Sequence, residues 1–453
     1  MRFIDSFLKL FSPQSIEVYN VFTPTKAAEL NYIARPNLEK QINQELCTPG
    51  KQILLFGHSG SGKTTIIRSL LNNAGQDSIR THCEKATTYE QILMNAFDSL
   101  DKYIQSEKSI SKSHKINSDF VAEFKLFKAG IKEETASVES GKYVRLLPPQ
   151  LTPQKLAHFL GEGGFNWIIE DFHKVEDVEK KRIADILKIF SDNANEYQKV
   201  KVICIGACDS ANDLVRLEPD LKGRVAEIKV NLLSEKLIRE IVINGCKLLN
   251  IEMEDCLIEK LVYYSARLGS SVHQMCLNIC LGNNITCRQK KKRKVYDKSF
   301  NYAVEGFIKS NEGTLTTIYD SAVRNALGWY ILKTFSRNCH DKLQFREIKK
   351  IVNKSQQSFT DEEIKHKLGE LSSPEYGVIY FNPITENYTL SSPFWKAFLR
   401  MQFAIEDAER NKANKDKANK NLKLIDQNDR DASVESLMLE LLQRFKEKER
   451  LSN

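Results

Sequence analysis

The sequence of 453 residues lacks the usual marks of a membrane-spanning, secreted or disulfide-bonded protein. No apolar run approaches the roughly 18 residues that a membrane-spanning helix needs. The first residues, MRFIDSFLKLF, are interrupted by Asp5 and Lys9, which argues against a signal peptide. The ten cysteines are scattered and include no C-x-x-C pair, which argues against a zinc ribbon. We therefore expect a cytoplasmic protein with reduced thiols and no membrane span.

A large excess of one charge is also lacking. The net charge is +8, and 28% of the residues are charged, with both signs represented. This balance permits an anionic partner such as nucleic acid but does not require one. The hydrophobic fraction of 41% is enough for sizeable cores, and the length corresponds to about three domains.

One stretch is rich in glycine, namely LLFGHSGSGKTT at residues 54–65. The apolar run before it predicts a buried strand and the run after it a helix, so the glycines occupy a strand-to-helix turn. Such a turn directs backbone N–H groups and the positive end of the helix dipole towards a phosphate chain. The spacing matches G-x-x-x-x-G-K-[ST], whose lysine reaches the outer phosphates and whose last hydroxyl holds magnesium. The predicted nucleotide contacts are Gly57, His58, Ser59, Gly60, Ser61, Gly62, Lys63, Thr64 and Thr65.

A second chemical signal is the pair of carboxylates in FNWIIEDFHKV, at residues 165–175. Phosphoryl transfer needs a magnesium ligand and a group that orients the attacking water, and this pair can supply both. We expect their strand to lie beside the strand of the glycine-rich turn, because the carboxyl ends of parallel strands meet at one edge. With Thr64, both acids are candidate metal ligands. Glu170 is assigned to the metal and Asp171 to the water, and the reverse assignment stays open.

Strands and helices alternate over 50–231, which predicts an α/β fold, with the parallel sheet of a P-loop NTPase and helices on both faces. The sequence TTYEQILMNAFDSL predicts a helix that opens with a capping box from Thr87 to Glu90. Residues 104–150 are polar and weakly periodic, and we expect them to form an insertion or a flexible surface excursion.

The rest of the chain changes character. Residues 232–282 show helical patterns only, and they predict a helical lid. A long helix from about 313, two shorter helices and a hairpin at 376–390 then predict a winged helix. The predicted domains are an amino-terminal helix and nucleotide-wrapping linker (1–49), the P-loop core with its insertion (50–231), the lid with a basic loop (232–312), the winged helix (313–403), and a charged linker with an amphipathic helix (404–453).

The order of these features along the chain resembles that of the AAA+ and STAND P-loop ATPases. The features are the phosphate loop, the acidic strand end, the VICIGA strand, the arginine before the last strand, the helical lid and the winged helix. The similar branch includes origin-recognition-like helicase loaders and bacterial signalling or defence ATPases, and the resemblance covers roughly residues 20–400. It implies that the chain binds ATP and Mg²⁺ and hydrolyses the nucleotide. The family usually has Asp before the second acid, whereas here Glu170 precedes Asp171.

The resemblance also implies residues outside these motifs. Arg224, directly before VAEIKV, matches an arginine that can reach the γ-phosphate of a neighbouring subunit, although it can equally be a surface arginine. Asp209 or Ser210 corresponds to a polar sensor after the fourth strand. His273 lies near the nucleotide-sensing position of the lid, or is a core or helix-capping histidine.

The segment VFTPTKAAELNYIARPNLEKQI, at 21–42, resembles the part of these ATPases that wraps the adenine. Tyr32, Ile33 and Arg35 are its candidate contacts, and an ordinary linker followed by a helix is the alternative. The basic run RQKKKRK, at 288–294, can neutralise nucleic-acid phosphates or form a solvated loop.

The preferred interpretation is an ATP-binding and slowly hydrolysing switch whose nucleotide state controls oligomerisation or partner engagement, for example in bacterial signalling or antiviral defence. No nuclease, protease or TIR-like motif is present, so we expect a homo-oligomer or a separate effector chain. The amphipathic stripe at 433–450 favours assembly. The alternatives are a DNA-associated AAA+ loader or regulator that uses the winged helix and basic loop, and a nucleotide-binding scaffold without turnover.

Overall fold

A parallel sheet of five strands forms the centre of the fold in the computed structural model. The strands are β1 (Gln52–Phe56), β2 (Asp77–His82), β3 (Phe165–Glu170), β4 (Val202–Gly206) and β5 (Val225–Lys229). They stand in the order β2-β3-β4-β1-β5, and each neighbouring pair is parallel. The predicted α/β fold class is therefore confirmed.

The described part of the chain comprises residues 16–107, 118–138, 151–208, 221–338, 341–354, 358–410 and 412. The predicted amino-terminal helix, the sensor candidates Asp209 and Ser210, and the tail helix at 433–450 lie outside it. One unit of the chain consists of Met1–Ser310, Gly377–Tyr380 and Leu390–Ala397, and the other of Asn311–Tyr376, Phe381–Thr389 and Phe398–Asn453. Across the described residues, every helix is too short or too polar to cross a membrane, and no cysteine forms a disulfide.

Helices cover both faces of the sheet. Leu54 and Phe56 of β1 belong to one hydrophobic core, whereas Ile53 and Leu55 belong to another on the opposite face. Alternation within a strand places successive side chains on opposite faces, so both cores need a helical cover. The helices of this region are α1 (Val18–Val21), α2 (Pro36–Cys47), α3 (Lys63–Asn73), α4 (Tyr89–Glu107), α5 (Ser118–Val138), α6 (Pro153–Gly163) and α7 (Asp177–Asp192).

Two predictions in this region are wrong in detail. Part of the predicted insertion is helix α5, and Phe120 and Phe124 on that helix are buried in the core. The capping box of α4 lies one residue later than predicted: the Thr88 N–H donates to the Gln91 side chain at 3.0 Å, and the Gln91 N–H donates to the Thr88 hydroxyl at 3.4 Å. Thr87 instead accepts a hydrogen bond from the Glu84 N–H at 2.7 Å.

The acidic strand is not the neighbour of β1. Strand β4 lies between β1 and β3, with Ile203 level with both Ile53 and Ile168. The carboxyl ends of β1 and β3 nevertheless lie at the same edge, because all the strands run in one direction. The expected meeting of the acids with the phosphate loop therefore happens across one intervening strand.

The lid region is helical, with one small sheet that the pattern did not predict. Strands β6 (Ile251–Met253) and β7 (Arg293–Val295) pair in parallel, and β7 contains part of the basic run. The helices are α8 (Glu235–Leu249), α9 (Asp255–Tyr264), α10 (Gly269–Gly282) and α11 (Phe300–Lys309).

In the other unit, the predicted long helix is broken. A π-helical turn at Glu312–Thr316 leads into α12 (Thr317–Ala322), and α13 (Ala326–Arg337) begins after Asn325, whose side chain accepts from the Gly328 N–H at 2.9 Å. The two shorter helices and the hairpin are confirmed as α14 (Phe345–Val352), α15 (Asp361–Leu371), β9 (Ile379–Asn382) and β10 (Asn387–Leu390). Strand β8 (Lys342–Gln344) completes a sheet in the order β8-β10-β9.

The charged segment predicted to begin at 404 starts as ordered helix. Residues 393–410 form helix α16. The Glu406 carboxylate on this helix accepts from the Tyr319 hydroxyl at 2.5 Å and from the Trp329 indole N–H at 2.8 Å. The hydrogen bonds to buried Tyr319 and half-buried Trp329 explain why the helix continues past the predicted boundary.

Candidate nucleotide-binding site

The glycine-rich turn joins β1 to α3, and three glycines shape it. Gly57, Gly60 and Gly62 have φ values of +142°, +75° and +89°, which side-chain-bearing residues rarely adopt. A Cβ on Gly57 would overlap the Val230 carbonyl oxygen, and one on Gly60 would overlap the Ser270 hydroxyl. The sequence therefore requires glycine here both for backbone conformation and for close packing.

Lys63, the first residue of α3, is a buried cation folded back onto this turn. Its side chain is 8% exposed, and its Nζ donates to the carbonyl oxygens of Gly57 at 2.7 Å and His58 at 2.8 Å. Burial lowers the pKa of Lys63 to about 8. A buried ammonium held only by neutral carbonyls is a favourable partner for an anion.

Thr64 and Glu170 meet beside the turn. The Thr64 hydroxyl donates to Glu170 Oε2 at 3.1 Å, which brings the motif's hydroxyl to the end of β3. The other carboxylate oxygen, Oε1, is buried without a hydrogen-bond partner, and Arg80 Nη1 lies 3.9 Å from it. Ser61 Oγ is also buried and unpartnered.

These oxygens fit a magnesium ion. Mg²⁺ prefers oxygen ligands and commonly takes one or two protein groups, with phosphate oxygens and water completing its shell. The described residues contain no cluster of three or more His, Cys, Asp or Glu side chains that could hold a metal without such help. Thr64 and the unpartnered Glu170 oxygen therefore suit a metal bound together with a phosphate chain.

Asp171 occupies a different environment from Glu170. Its φ is +58°, and its half-exposed carboxylate accepts from Lys174 Nζ at 2.7 Å, a hydrogen bond that raises the pKa of Lys174. His173 Nδ1 accepts from the Ala207 N–H at 3.1 Å, which connects this turn to the residue after β4. Burial lowers the pKa of His173. The two acids thus differ in burial and in partners.

Several of the residues 23–35 also line the cleft. Ile33 lines it, and the Tyr32 hydroxyl donates to Glu39 Oε1 at 2.5 Å. Burial and that carboxylate raise the pKa of Tyr32. The Tyr32 hydroxyl is thus engaged by the protein.

Arg35 braces the phosphate loop. Its Nη2 donates to the Ser61 carbonyl oxygen, and its Nη1 donates to the Asn231 carbonyl at 3.2 Å. Nη2 also lies 2.8 Å from the position that a Cβ on Gly62 would take. The guanidinium, which was predicted to contact the base, therefore links the loop to the chain that leaves β5 for the lid.

His273 is a buried residue of α10 that also lines the cleft. Its Nδ1 accepts from the Thr23 N–H at 3.1 Å, and the Phe22 ring stands edge-on to the imidazole. Burial lowers the pKa of His273 to about 4. The imidazole is consequently neutral near pH 7, and it connects the wall at residues 23–35 to the lid.

These groups form a single cleft of about 610 Å³, within the usual range for ligand sites. Of the predicted site residues, those that line it are Ser59, Gly60, Ser61, Gly62, Lys63, Thr64, Thr65, Glu170, Asp171, Tyr32, Ile33, Arg35 and His273. Gly57 and His58 belong to the loop, and their carbonyl oxygens accept hydrogen bonds from the Lys63 ammonium.

Arg224 lies away from this cleft. Its carbonyl oxygen accepts from the Gln52 N–H at 2.8 Å, at the edge where β1 and β5 begin, whereas the phosphate loop follows the end of β1. The guanidinium pairs with Asp192 instead. The residue before a parallel strand lies at the edge of the sheet opposite to the strand ends, so Arg224 does not reach the cleft of its own chain. A role towards a neighbouring chain stays a prediction.

Sequence reasoning missed several residues of the cleft and its surroundings. Thr23 and Asn31 lie in the segment at 21–42 but were not among its predicted contacts, Arg80 belongs to no motif, and Ser270 enters the cleft from α10. Each reaches the site through tertiary packing, and their spacing along the chain gives no signal for this.

No protein-family model matches the chain, and no curated protein matches it in sequence. Solved structures do resemble it. The Walker-type ATPase of Pyrococcus abyssi is 14% identical, with 82% of this chain and 96% of that chain covered and a TM-score of 0.46. The ORC2 protein of Aeropyrum pernix, in ADPNP–ADP complexes, is 10% identical, with 86% and 98% covered and a TM-score of 0.45. The RuvB Holliday junction branch migration motor of Thermotoga maritima is 11% identical, with 80% and 94% covered and a TM-score of 0.38. At these identities, function has to be argued from the site itself.

Proposed function

We propose that this protein binds ATP with Mg²⁺ at the cleft, hydrolyses it slowly and uses the nucleotide state as a conformational switch. The observation that carries the proposal is the buried Lys63 ammonium, held by neutral carbonyls in a glycine turn beside the Thr64–Glu170 pair. A phosphate chain would supply the negative charge that the lysine lacks and would accept the N–H groups of the turn.

The roles of the side chains follow from their surroundings. Thr64 and Glu170 would hold the metal, which when bound neutralises charge on the phosphate oxygens. Asp171 is the better candidate to orient water, because its carboxylate is half-exposed and shares a hydrogen bond with Lys174 only. The hydrogen bond from Lys174 holds that carboxylate in place.

Coupling between the nucleotide and the fold is supported by the walls of the cleft. The phosphate loop belongs to the sheet, whereas Gly269, Ser270 and His273 belong to α10 of the lid. A ligand that contacts both walls favours one relative placement of sheet and lid, which is how a nucleotide can bias a switch.

Assembly belongs to the same proposal. Arg224 is partly exposed and far from the cleft of its own chain, so its only route to a γ-phosphate is across a subunit boundary. An arginine in that position can raise turnover by about 10³-fold or more. A STAND-like role in signalling or antiviral defence would use this switch to engage a separate effector chain.

A second candidate function is a DNA-associated ATPase, and the basic loop favours it. Lys290 to Lys294 are exposed, and among the described residues only Lys292 of this run has a carboxylate partner, Glu252 at 3.1 Å. Arg288 differs, because its guanidinium donates to the Lys247 and Leu248 carbonyls at the end of α8. The winged-helix interpretation of α13 to α15 with the hairpin belongs to this candidate.

One experiment separates the candidates. We would measure ATP turnover and molecular mass of the pure protein, with and without ATP and duplex DNA. Turnover with ATP-dependent oligomers supports the switch, and turnover stimulated by DNA in a salt-dependent manner supports the second candidate. Tight binding without turnover would leave only the scaffold. Arg224→Ala should bind ATP normally but hydrolyse it slowly, and mixing it with Lys63→Ala protein should restore activity.

A further inference from the structure

Buried side-chain atoms without hydrogen-bond partners are concentrated at this cleft. Seven such atoms occur among the described residues, and four of them belong to residues that line it: Thr23 Oγ1, Asn31 Oδ1, Ser61 Oγ and Glu170 Oε1. Buried polar groups are nearly always satisfied, so each exception needs an explanation. Ser61 and Glu170 lie at the phosphate end, which the proposed function explains. Thr23 and Asn31 lie in the wall at residues 23–35 and need a different ligand group.

The orientation of the Asn31 amide is fixed by its surroundings. Asn31 is 2% exposed, and its Nδ2 donates to the Ile241 carbonyl oxygen at 3.0 Å. A carbonyl accepts only from the NH₂ side of an amide, so the side chain cannot be turned over without loss of that bond. Asn31 Oδ1 is therefore an acceptor without a donor among the described residues.

His273 adds a donor to the same wall. Because its Nδ1 accepts from the Thr23 N–H, the proton of the neutral imidazole lies on Nε2. The wall thus presents a fixed acceptor at Asn31 and a fixed donor at His273. Its third polar group, the Thr23 hydroxyl, can act as either.

Purines differ in what they present to such a pair. Adenine carries a donor, the N6 amino group, next to ring-nitrogen acceptors, whereas guanine carries an acceptor, O6, at the same position. An amino group would satisfy Asn31 Oδ1, and a carbonyl oxygen there would face another acceptor. A polar group left unpaired in a buried site is the strongest basis for rejecting the wrong ligand.

We infer that Asn31 is the specificity-determining residue for the base, and that it selects nucleotides with an amino group at purine position 6. The inference rests on the proposed function, because it assumes that the phosphates occupy the glycine turn. It assigns the adenine preference to one amide oxygen, on a residue that was not among the predicted contacts of its segment.

The test uses four nucleoside diphosphates with Mg²⁺ and calorimetric dissociation constants. ADP has an amino group at position 6, purine riboside diphosphate has hydrogen there, and IDP and GDP have oxygen. We expect purine riboside diphosphate to bind about tenfold more weakly than ADP, as the loss of one hydrogen bond predicts. We expect IDP and GDP to bind about 100-fold more weakly than ADP, because an acceptor then faces an acceptor.

Asn31→Leu removes the acceptor at similar volume. In this variant the affinity for ADP should fall to that for purine riboside diphosphate. The affinity for purine riboside diphosphate itself should not change. Asn278→Leu is the matched control, because its amide lies on α10 but does not line the cleft.

The outcomes are distinct. Equal binding of ADP and purine riboside diphosphate by the natural protein overturns the inference, even if Asn31→Leu does not fold. An equal loss for all four ligands in folded Asn31→Leu also overturns it, since the amide would then be structural. Binding that Lys63→Ala leaves unchanged, or no binding at all, overturns the proposed function and this inference together.

Discussion

Replacing Glu170 by Gln isolates the charge at the candidate metal position. Glutamine keeps the size of the side chain and an oxygen that can accept from Thr64, but it loses the negative charge next to that hydroxyl. Hydrogen bonds to charged groups contribute about 1.5–3 kcal/mol to a site, which corresponds to about a 10- to 150-fold change in an equilibrium constant. We therefore expect the Mg²⁺ concentration for half-maximal ATP binding to rise by about 10- to 100-fold.

Glu170→Gln should weaken magnesium binding without lowering the thermal stability of the nucleotide-free protein. Glu170 Oε1 is buried without a hydrogen-bond partner, and the ion pair with Arg80 Nη1 at 3.9 Å is long. Loss of a buried charge with so little compensation should leave the melting temperature unchanged or raise it.

The assay is a magnesium titration at fixed concentration of a fluorescent ATP analogue, followed by thermal unfolding without nucleotide. Glu227→Gln, at an exposed carboxylate on strand β5, which pairs with β1 and not with β3, is the matched control. An unchanged magnesium midpoint in Glu170→Gln, together with a raised midpoint in Asp171→Asn, would refute the reasoning and reverse the roles of the two acids.

Three further predictions test other parts of the account. Asp171→Asn should keep Mg-ATP bound but lower turnover at least about 100-fold, and single-turnover kinetics with full activity would remove Asp171 from the chemistry. The pKa of Lys63 is about 8 in the folded protein, against an ordinary value of 10.5. Between pH 8 and pH 10.5 the folded protein therefore binds fewer protons than the unfolded chain, and the free energy of unfolding should rise with pH over that range. The phosphates of bound ATP should favour the protonated Lys63 ammonium, so ATP binding at pH 9 should take up a proton. This uptake makes the calorimetric binding enthalpy depend on the buffer, and the dependence should disappear in Lys63→Arg. Charge reversal across Lys290 to Lys294 should abolish DNA binding at low salt, whereas unchanged binding would identify the run as a solvated loop.

The parts of the fold that local sequence determines could be predicted. The phosphate loop follows from glycine spacing, since positive φ at Gly57, Gly60 and Gly62 is a local requirement. Strands β1 and β4 are buried on both faces and stand out as short apolar runs. Small errors arose where two equivalent residues compete, as when Thr88 rather than Thr87 caps α4.

The parts that depend on long-range packing could not be predicted. Nothing in the sequence reveals that β4 separates β3 from β1, because strand order is a property of the assembled sheet. The bond from Asn31 to Ile241 spans 210 positions, and that from Thr23 to His273 spans 250.

The most direct test of the central claim is the affinity for Mg-ATP of folded Lys63→Ala protein, measured by equilibrium calorimetry. Lys51→Ala is the matched control, because the Lys51 ammonium donates to the Gly223 carbonyl at 2.8 Å at the opposite edge of the sheet. If the Lys63 ammonium binds the phosphates, Lys63→Ala should lose at least about 100-fold in affinity while its melting temperature and circular dichroism stay unchanged. Undiminished ATP binding by the folded Lys63→Ala protein would contradict the account.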